Sequence, residues 1–212
     1  MTITQLSTQQ IQATMIYVSE KMVDSKMLLS KADQIIGDGD HGIGMARGFV
    51  EALNMLKTSS FETPSEVLSE VGMTLLSSIG GAAGAVFGSL FLGIGKSLAG
   101  QEVVTPENFT LGLSQGMQSI MKRGNAKVGD KTMLDALEPA IQAATAYQGD
   151  DFKAYLETLW QAAEKGKDAT KDMVAQVGKA KSLGERSLGY VDPGAISLTL
   201  IFKFMYDYVD QL

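Results

Sequence analysis

The stretch VGMTLLSSIGGAAGAVFGSLFLGIG, Val71–Gly95, decides the fold class, because it carries no charged residue and is long enough to reach across a bilayer. Its composition argues against a membrane span. The run contains Gly72, Gly80, Gly81, Gly84, Gly88, Gly93 and Gly95 and the polar pair Ser77-Ser78, it lacks an aromatic belt, and its flanks are Glu70 and Lys96 rather than a basic cluster. The double glycine at its centre breaks a helical pattern, so the stretch reads as two buried helices separated near Gly80-Gly81. Gly80, Gly84 and Gly88 then lie where a neighbouring backbone or a ligand can come close.

The same helical grammar extends outward in both directions. Thr63-Pro64, Thr105-Pro106 and Asp192-Pro193 each place a capping residue before a proline, the signature of a helix start, and Thr63 with Glu66 spells a capping box. Apolar residues recur at helical spacing in Ile11, Met15, Val18, Met22 and Leu29, in Ala46, Phe49, Leu53 and Leu56, and in Phe152, Leu156, Leu159 and Ala163. No segment alternates as a strand. The pattern predicts helices over 8–30, 42–57, 64–78, 82–99, 106–123, 132–148, 151–177 and 193–211. Short connections make consecutive helices antiparallel, so the expected fold is all-α, a bundle or closed barrel of eight antiparallel helices forming a single domain over residues 1–212. Pro139 is expected to kink its helix, and the twelve methionines to fill irregular gaps in the core.

Composition narrows the function classes. The absence of cysteine excludes a disulfide framework and a thiolate metal site, and the polar start MTITQLSTQQ shows no signal peptide, so the expected compartment is the cytoplasm. A net charge of −6 argues against a general affinity for nucleic acid, which rests on phosphate neutralisation by Lys and Arg.

Chemistry concentrates in KADQIIGDGDHGIG, Lys31–Gly44, where Asp33, Asp38 and Asp40 precede His41, the sole histidine. Gly37, Gly39 and Gly42 satisfy a dinucleotide fingerprint literally, but no strand precedes them and Asp38 and Asp40 would repel a pyrophosphate. A calcium loop starting at Asp38 needs a glutamate at its twelfth position, which is Phe49. Two readings survive: aspartates that cap a helix and solvate a turn, or carboxylates gathered for a hard divalent ion such as magnesium. Further glycine-rich segments lie near helix ends at Ser77–Gly84, Gly124–Thr132 and Asp192–Gly194, where unpaired N–H groups and the helix dipole favour an anion such as a diphosphate. Neither Gly95-Lys96-Ser97 nor Gly124 to Thr132 completes a Walker A loop. Close helix packing and ordinary capping explain these segments equally well at this level.

Taken together, four separated segments resemble the nucleotide-binding L subunit of dihydroxyacetone kinase. They are Ile36–Gly42, Gly72–Gly81, Gly129–Met133, and Leu183–Gly189 with Asp192–Ala195. The resemblance implies an eight-helix barrel with ADP or ATP at one end and two magnesium ions. It implies that Asp33, Asp38 and Asp40 ligate the metal, and that His41, Gly42, Ile43, Gly44, Ala82, Ala83, Gly124, Met133, Asp192, Pro193 and Gly194 contact the nucleotide. Lys179 stands where the family commonly has an arginine, and is expected to act as the catalytic cation on the phosphates; lysine keeps the charge but loses the bidentate fork.

The resemblance further implies phosphoryl transfer to a ketose held on a separate K subunit by a histidine that is not His41. A separate chain of this length leans toward the branch in which ADP stays bound as a coenzyme and a phosphohistidine carrier, the M subunit, recharges it. An ATP-dependent kinase for another ketose such as erythrulose remains an alternative, as does a non-catalytic module that binds a transcriptional regulator. The related fatty-acid kinase domain is disfavoured because a threonine is expected there in place of His41. Neither nucleic acid nor membrane is expected as a partner.

Overall fold

The computed structural model describes residues 2–212. Nine α-helices dominate the described residues: α1 (Thr8–Asp24), α2 (Lys26–Ile36), α3 (His41–Thr58), α4 (Pro64–Ser78), α5 (Gly81–Ser97), α6 (Pro106–Gly124), α7 (Leu134–Ala146), α8 (Phe152–Ala169) and α9 (Pro193–Val209). Eight of them close a ring, because α3, α4, α5, α6, α7, α8 and α9 each pack on the next, and α1 packs against both α9 and α3. The ninth, α2, lies outside the ring and rests on α3 and α9. Buried side chains from these helices form one hydrophobic cluster, in which Met15, Phe49, Phe87, Phe109, Leu156 and Phe202 are almost wholly excluded from water.

Several local expectations change. The helix predicted over 8–30 is two helices, because the Ser25 hydroxyl turns back to the Lys21 carbonyl at 2.8 Å and the chain restarts as α2, which continues to Ile36. The helix predicted over 151–177 ends at Ala169, where the Thr170 hydroxyl donates to the Lys167 carbonyl and a 3-10 turn, Thr170–Asp172, follows. Lys179–Ser187 forms further 3-10 turns. The strand-free expectation meets one exception, a two-residue antiparallel pairing of β1 (Leu6–Ser7) with β2 (Val103–Val104). Thr63 caps α4 through the Glu66 amide, but the Glu66 carboxylate accepts from the Glu62 amide instead of completing the box. Complete boxes occur at Ser7 with Gln10 and at Thr105 with Asn108.

The charge-free stretch becomes α4 and α5, broken at Gly80, whose φ of 79° is comfortable only for glycine. Among the described residues no helix is long and apolar enough to cross a membrane. Gly88 makes the expected close contact: a Cβ there would stand 2.7 Å from the Leu76 Cβ and 2.9 Å from the Gly72 carbonyl oxygen, so α4 and α5 touch backbone to backbone. α7 runs on through Pro139, and the Asp135 carbonyl that the proline leaves without a helical N–H faces Gly166 of α8. Filling the α4–α5 seam is therefore costly. Gly88→Leu is expected to lose about 1–3 kcal/mol of unfolding free energy in urea titration; a change under about 0.5 kcal/mol would show that the seam has room.

Candidate nucleotide and metal site

One end of the ring opens into a cavity of about 470 Å³ whose walls come from five segments distant in sequence. The first wall is the turn from α2 into α3. Asp33 sits on the last turn of α2, buried, and one carboxylate oxygen accepts the His41 amide at 3.1 Å. Gly37 lies directly against that carboxylate, since a Cβ there would be 2.7 Å from Asp33 Cγ. Asp38 and Asp40 are exposed, and Asp40 occupies the N-cap position of α3 without making a side-chain cap bond. The capping reading of Asp40 therefore lacks its hydrogen bond. One oxygen from each of Asp33, Asp38 and Asp40 lies within 4.8 Å of the other two.

The opposing positive charge is Lys179, from the segment after α8. Its ammonium contacts the Asp38 carboxylate and reaches Asp40 at 3.1 Å. The Lys179 hydrogen bond holds the Asp38 carboxyl below its ordinary value, and the same bond raises Lys179. His41 points inward, with Nε2 2.7 Å from Ser197 Oγ on α9 and its ring beside Phe87. Burial lowers its pKa against the opposing pull of Asp33 and Asp40, which keeps the ring neutral near pH 7.

The second wall is the start of α5, where Gly80 serves as N-cap with no side-chain cap, leaving the first amides of the helix unpaired by side chains. Arg47 of α3 fastens the end of α4 beside it, donating from Nε to the Ser78 carbonyl at 2.7 Å and from Nη2 to that of Ile79. The third wall is the loop from Asn125 to Met133, shaped by Asp135, whose two oxygens accept the amides of Gly129 and Thr132. The fourth is the start of α9, where Asp192 accepts the Ala195 amide at 2.8 Å. Burial pushes the Asp192 carboxyl up to about 7. The segment around Val177 to Ala180 closes the ring of walls.

Of the residues singled out in the sequence, Asp33, Asp38, Asp40, His41, Ile43, Gly44, Ala82, Ala83, Gly124, Met133, Lys179, Asp192, Pro193 and Gly194 line this one cavity. Gly42 stands behind its wall, packed on α2 so tightly that a Cβ would come 2.5 Å from the Ser30 amide nitrogen. Sequence reasoning missed Arg47, Val86, Phe87 and Ile120, which also line it. The first three had a readable signal, because they lie one helical turn beyond Ile43-Gly44 and Ala82-Ala83 on the same faces.

A helical ring with a carboxylate cluster facing helix N-termini defines a class of protein suited to a metal-bound phosphate ligand. The chain belongs to the DAK2 domain family, whose model matches residues 35–207. It is 39% identical over 186 residues to the ADP-binding subunit DhaL of PEP-dependent dihydroxyacetone kinase 1 from Listeria innocua, covering 88% of this chain and 89% of that one. It is 35% identical over 179 residues to the corresponding subunit from Escherichia coli, covering 84% and 85%. Among solved structures it is similar to the dihydroxyacetone kinase of C. freundii, with a TM-score of 0.72 and 26% identity over 93% of this chain. The same kinase in complex with AMP-PNP and Mg2+ superposes with a TM-score of 0.69. This chain spans about a third of the length of that kinase.

The Asp192 environment predicts a pH dependence. With a folded-state pKa of about 7 against 3.8 for the free side chain, the folded chain keeps a proton between those values that the unfolded chain has released, so rising pH costs stability through Asp192. Asp192→Asn retains a capping acceptor without the ionisation. Its stability relative to the parent is expected to rise as pH increases from about 4 to 7, measured by urea unfolding at each pH; a difference independent of pH would contradict the assignment.

Proposed function

We propose that the chain is the ADP- or ATP-binding subunit of a dihydroxyacetone-kinase-type phosphotransferase, acting in the cytoplasm as one folding unit over residues 1–212. The observation that carries this reading is the convergence of three carboxylates and three helix N-termini on one cavity. The continuous hydrophobic cluster through the ring supports a single unit. Three carboxylates whose oxygens approach within 4.8 Å form an all-oxygen donor set that suits magnesium, and Asp33, Asp38 and Asp40 would hold the two ions of this reading. Bound there, magnesium would neutralise charge on the transferring phosphoryl group.

The chain's own residues divide the remaining work. The backbones of His41 to Gly44 and of Ala82 and Ala83 present helix N-termini to the anionic part of the nucleotide, while Asp192 to Gly194, at a helix start already capped by the Asp192 carboxyl, contact the nucleotide as wall. Met133, Val86, Phe87 and Ile120 give apolar wall to its base, and Gly124 leaves that wall open. Lys179, carried beside Gly178 with a φ of 68°, can pass its ammonium from Asp38 and Asp40 to a phosphoryl oxygen, and this makes it the catalytic cation of the set. His41, neutral and engaged with Ser197, positions the α3 turn and takes no part in holding a ketose.

The acceptor is a short ketose presented by a separate K subunit, so transfer occurs across an interface. Similarity over most of both chains to subunits named as ADP-binding and PEP- or PTS-dependent favours ADP retained as a coenzyme and recharged by a phosphohistidine carrier, the M subunit. A second reading has its own support: the chain is 35% identical to L-erythrulose kinase of Pectobacterium atrosepticum, though it spans only 30% of that protein, which favours an ATP-dependent kinase for a neighbouring ketose.

Two substitutions test the assignment. Asp38→Asn is expected to weaken ADP binding in the presence of magnesium by at least about tenfold, or 1.4 kcal/mol, in isothermal titration. Lys179→Ala should leave ADP affinity within about threefold yet slow phosphoryl transfer to dihydroxyacetone by about a hundredfold when assayed with the partner subunits. Undiminished nucleotide binding by Asp38→Asn would remove the metal clamp, and undiminished transfer by Lys179→Ala would remove the catalytic cation.

A further inference from the structure

Lys131 has no part in the roles assigned above, and its setting is unusual on three counts. Its side chain is 2% exposed, although an ammonium is rarely buried without partners. Its backbone φ is 61°, and only one other non-glycine among the described residues, Asn125, has a positive φ. Its ammonium donates to two backbone carbonyls far along the chain, those of Thr170 and Tyr190.

These bonds tie the loop before α7 to the end of α8 and to the segment before α9. The left-handed turn at Lys131 is enforced from both sides by Asp135, which accepts the amides of Gly129 and Thr132. Thr170, fully buried, relays the tie: its carbonyl accepts from Lys131 while its hydroxyl oxygen accepts the Asp192 amide at 3.0 Å. The Gly189 amide, bonded to the Lys171 carbonyl at 2.8 Å, and the Gln176 amide, bonded to the Asp130 carbonyl at 3.1 Å, flank the same junction. On the cavity side a Cβ at Gly194 would stand 3.6 Å from the Met133 Cβ, so the loop and the start of α9 face each other at contact distance. Burial works against the charge on the ammonium and lowers its pKa, while the nearby Asp192, Asp135 and Asp172 favour the charged form.

We propose that Lys131 is the positioning residue of the nucleotide cavity: by clamping the Thr170 and Tyr190 carbonyls it fixes the spacing between the Met133 wall and the Asp192–Gly194 helix start. The nucleotide is gripped between surfaces that one buried ammonium holds in register. Lys131 touches no reacting atom in this role, and it acts through Thr170 and Tyr190. The inference rests on the nucleotide-binding reading above, and its test separates the two.

ADP affinity in excess magnesium is measured by isothermal titration for the parent chain and for Lys131→Met, which keeps the apolar stem and removes the donors. Amide hydrogen exchange is followed on both proteins. The variant should bind ADP at least about tenfold more weakly, with faster exchange confined to residues 170–173 and 189–195 and unchanged protection in α1, α4 and α5. A purely structural lysine would instead loosen the whole ring, so exchange raised evenly over all helices overturns the proposal, as does ADP affinity within about twofold of the parent. Should Lys131→Met not fold, Lys131→Gln, which keeps a polar head of shorter reach, takes its place; it should reproduce the local exchange and the weaker binding, and ADP affinity within about twofold of the parent in it overturns the proposal. A parent chain that binds no ADP would refute the nucleotide reading itself, whereas a parent that binds and a variant that binds equally well would refute the role of Lys131 alone.

Discussion

Three carboxylates brought within 4.8 Å of one another repel, and the arrangement of this protein's open end follows from the need to offset that repulsion. Asp33 receives the His41 amide at the start of α3, while Asp38 and Asp40 share the Lys179 ammonium. The compensating groups come from opposite halves of the sequence, so the aspartate turn and the segment after α8 must meet. Closure of the ring brings them together, because α9 packs on both α1 and α2 and returns the end of the chain to its beginning.

The ring also explains why the glycines cluster as they do. Gly88 brings α4 and α5 to backbone contact, and the same pair of helices then separates at Gly80, opening the N-terminus of α5 toward the cavity. Tight packing and an exposed helix start are thus two results of one glycine-rich stretch. On the far side, the loop before α7 reaches the cavity through left-handed backbone that Asp135 stabilises, and Lys131 converts that loop into a clamp on the segments before α9. Both walls place rigid helix ends where flexible loops would otherwise stand, which suits binding of an anion by preorganised amides.

Much of this was legible in the sequence because it depends on local pattern. The break at Gly80-Gly81, the caps at Thr63, Thr105 and Asp192, and the acidic turn are spelled in adjacent residues. The end of α1 at Ser25 was not legible, since a serine inside an amphipathic run gives no stop signal until its hydroxyl is seen on the Lys21 carbonyl. The end of α8 at Ala169 was not legible either, since Thr170 turns its hydroxyl to the Lys167 carbonyl and gives its own carbonyl to Lys131, 39 residues earlier, a contact that no window of sequence contains. The site followed the same division. Residues within glycine-rich motifs were found, while Ile120, which reaches the cavity from α6, and Gly42, which packs against Ser30 behind the wall, needed the fold to place them.

The central claim is that the acidic turn and the facing helix ends together hold a magnesium-bound adenine nucleotide. Native mass spectrometry of the chain purified without added ligand tests it most directly, with the released small molecule identified after denaturation. The account predicts a mass excess equal to one ADP with two magnesium ions, or uptake of that same complex when ADP and magnesium are added. A chain that carries no nucleotide and takes up none in excess ADP and magnesium would contradict it.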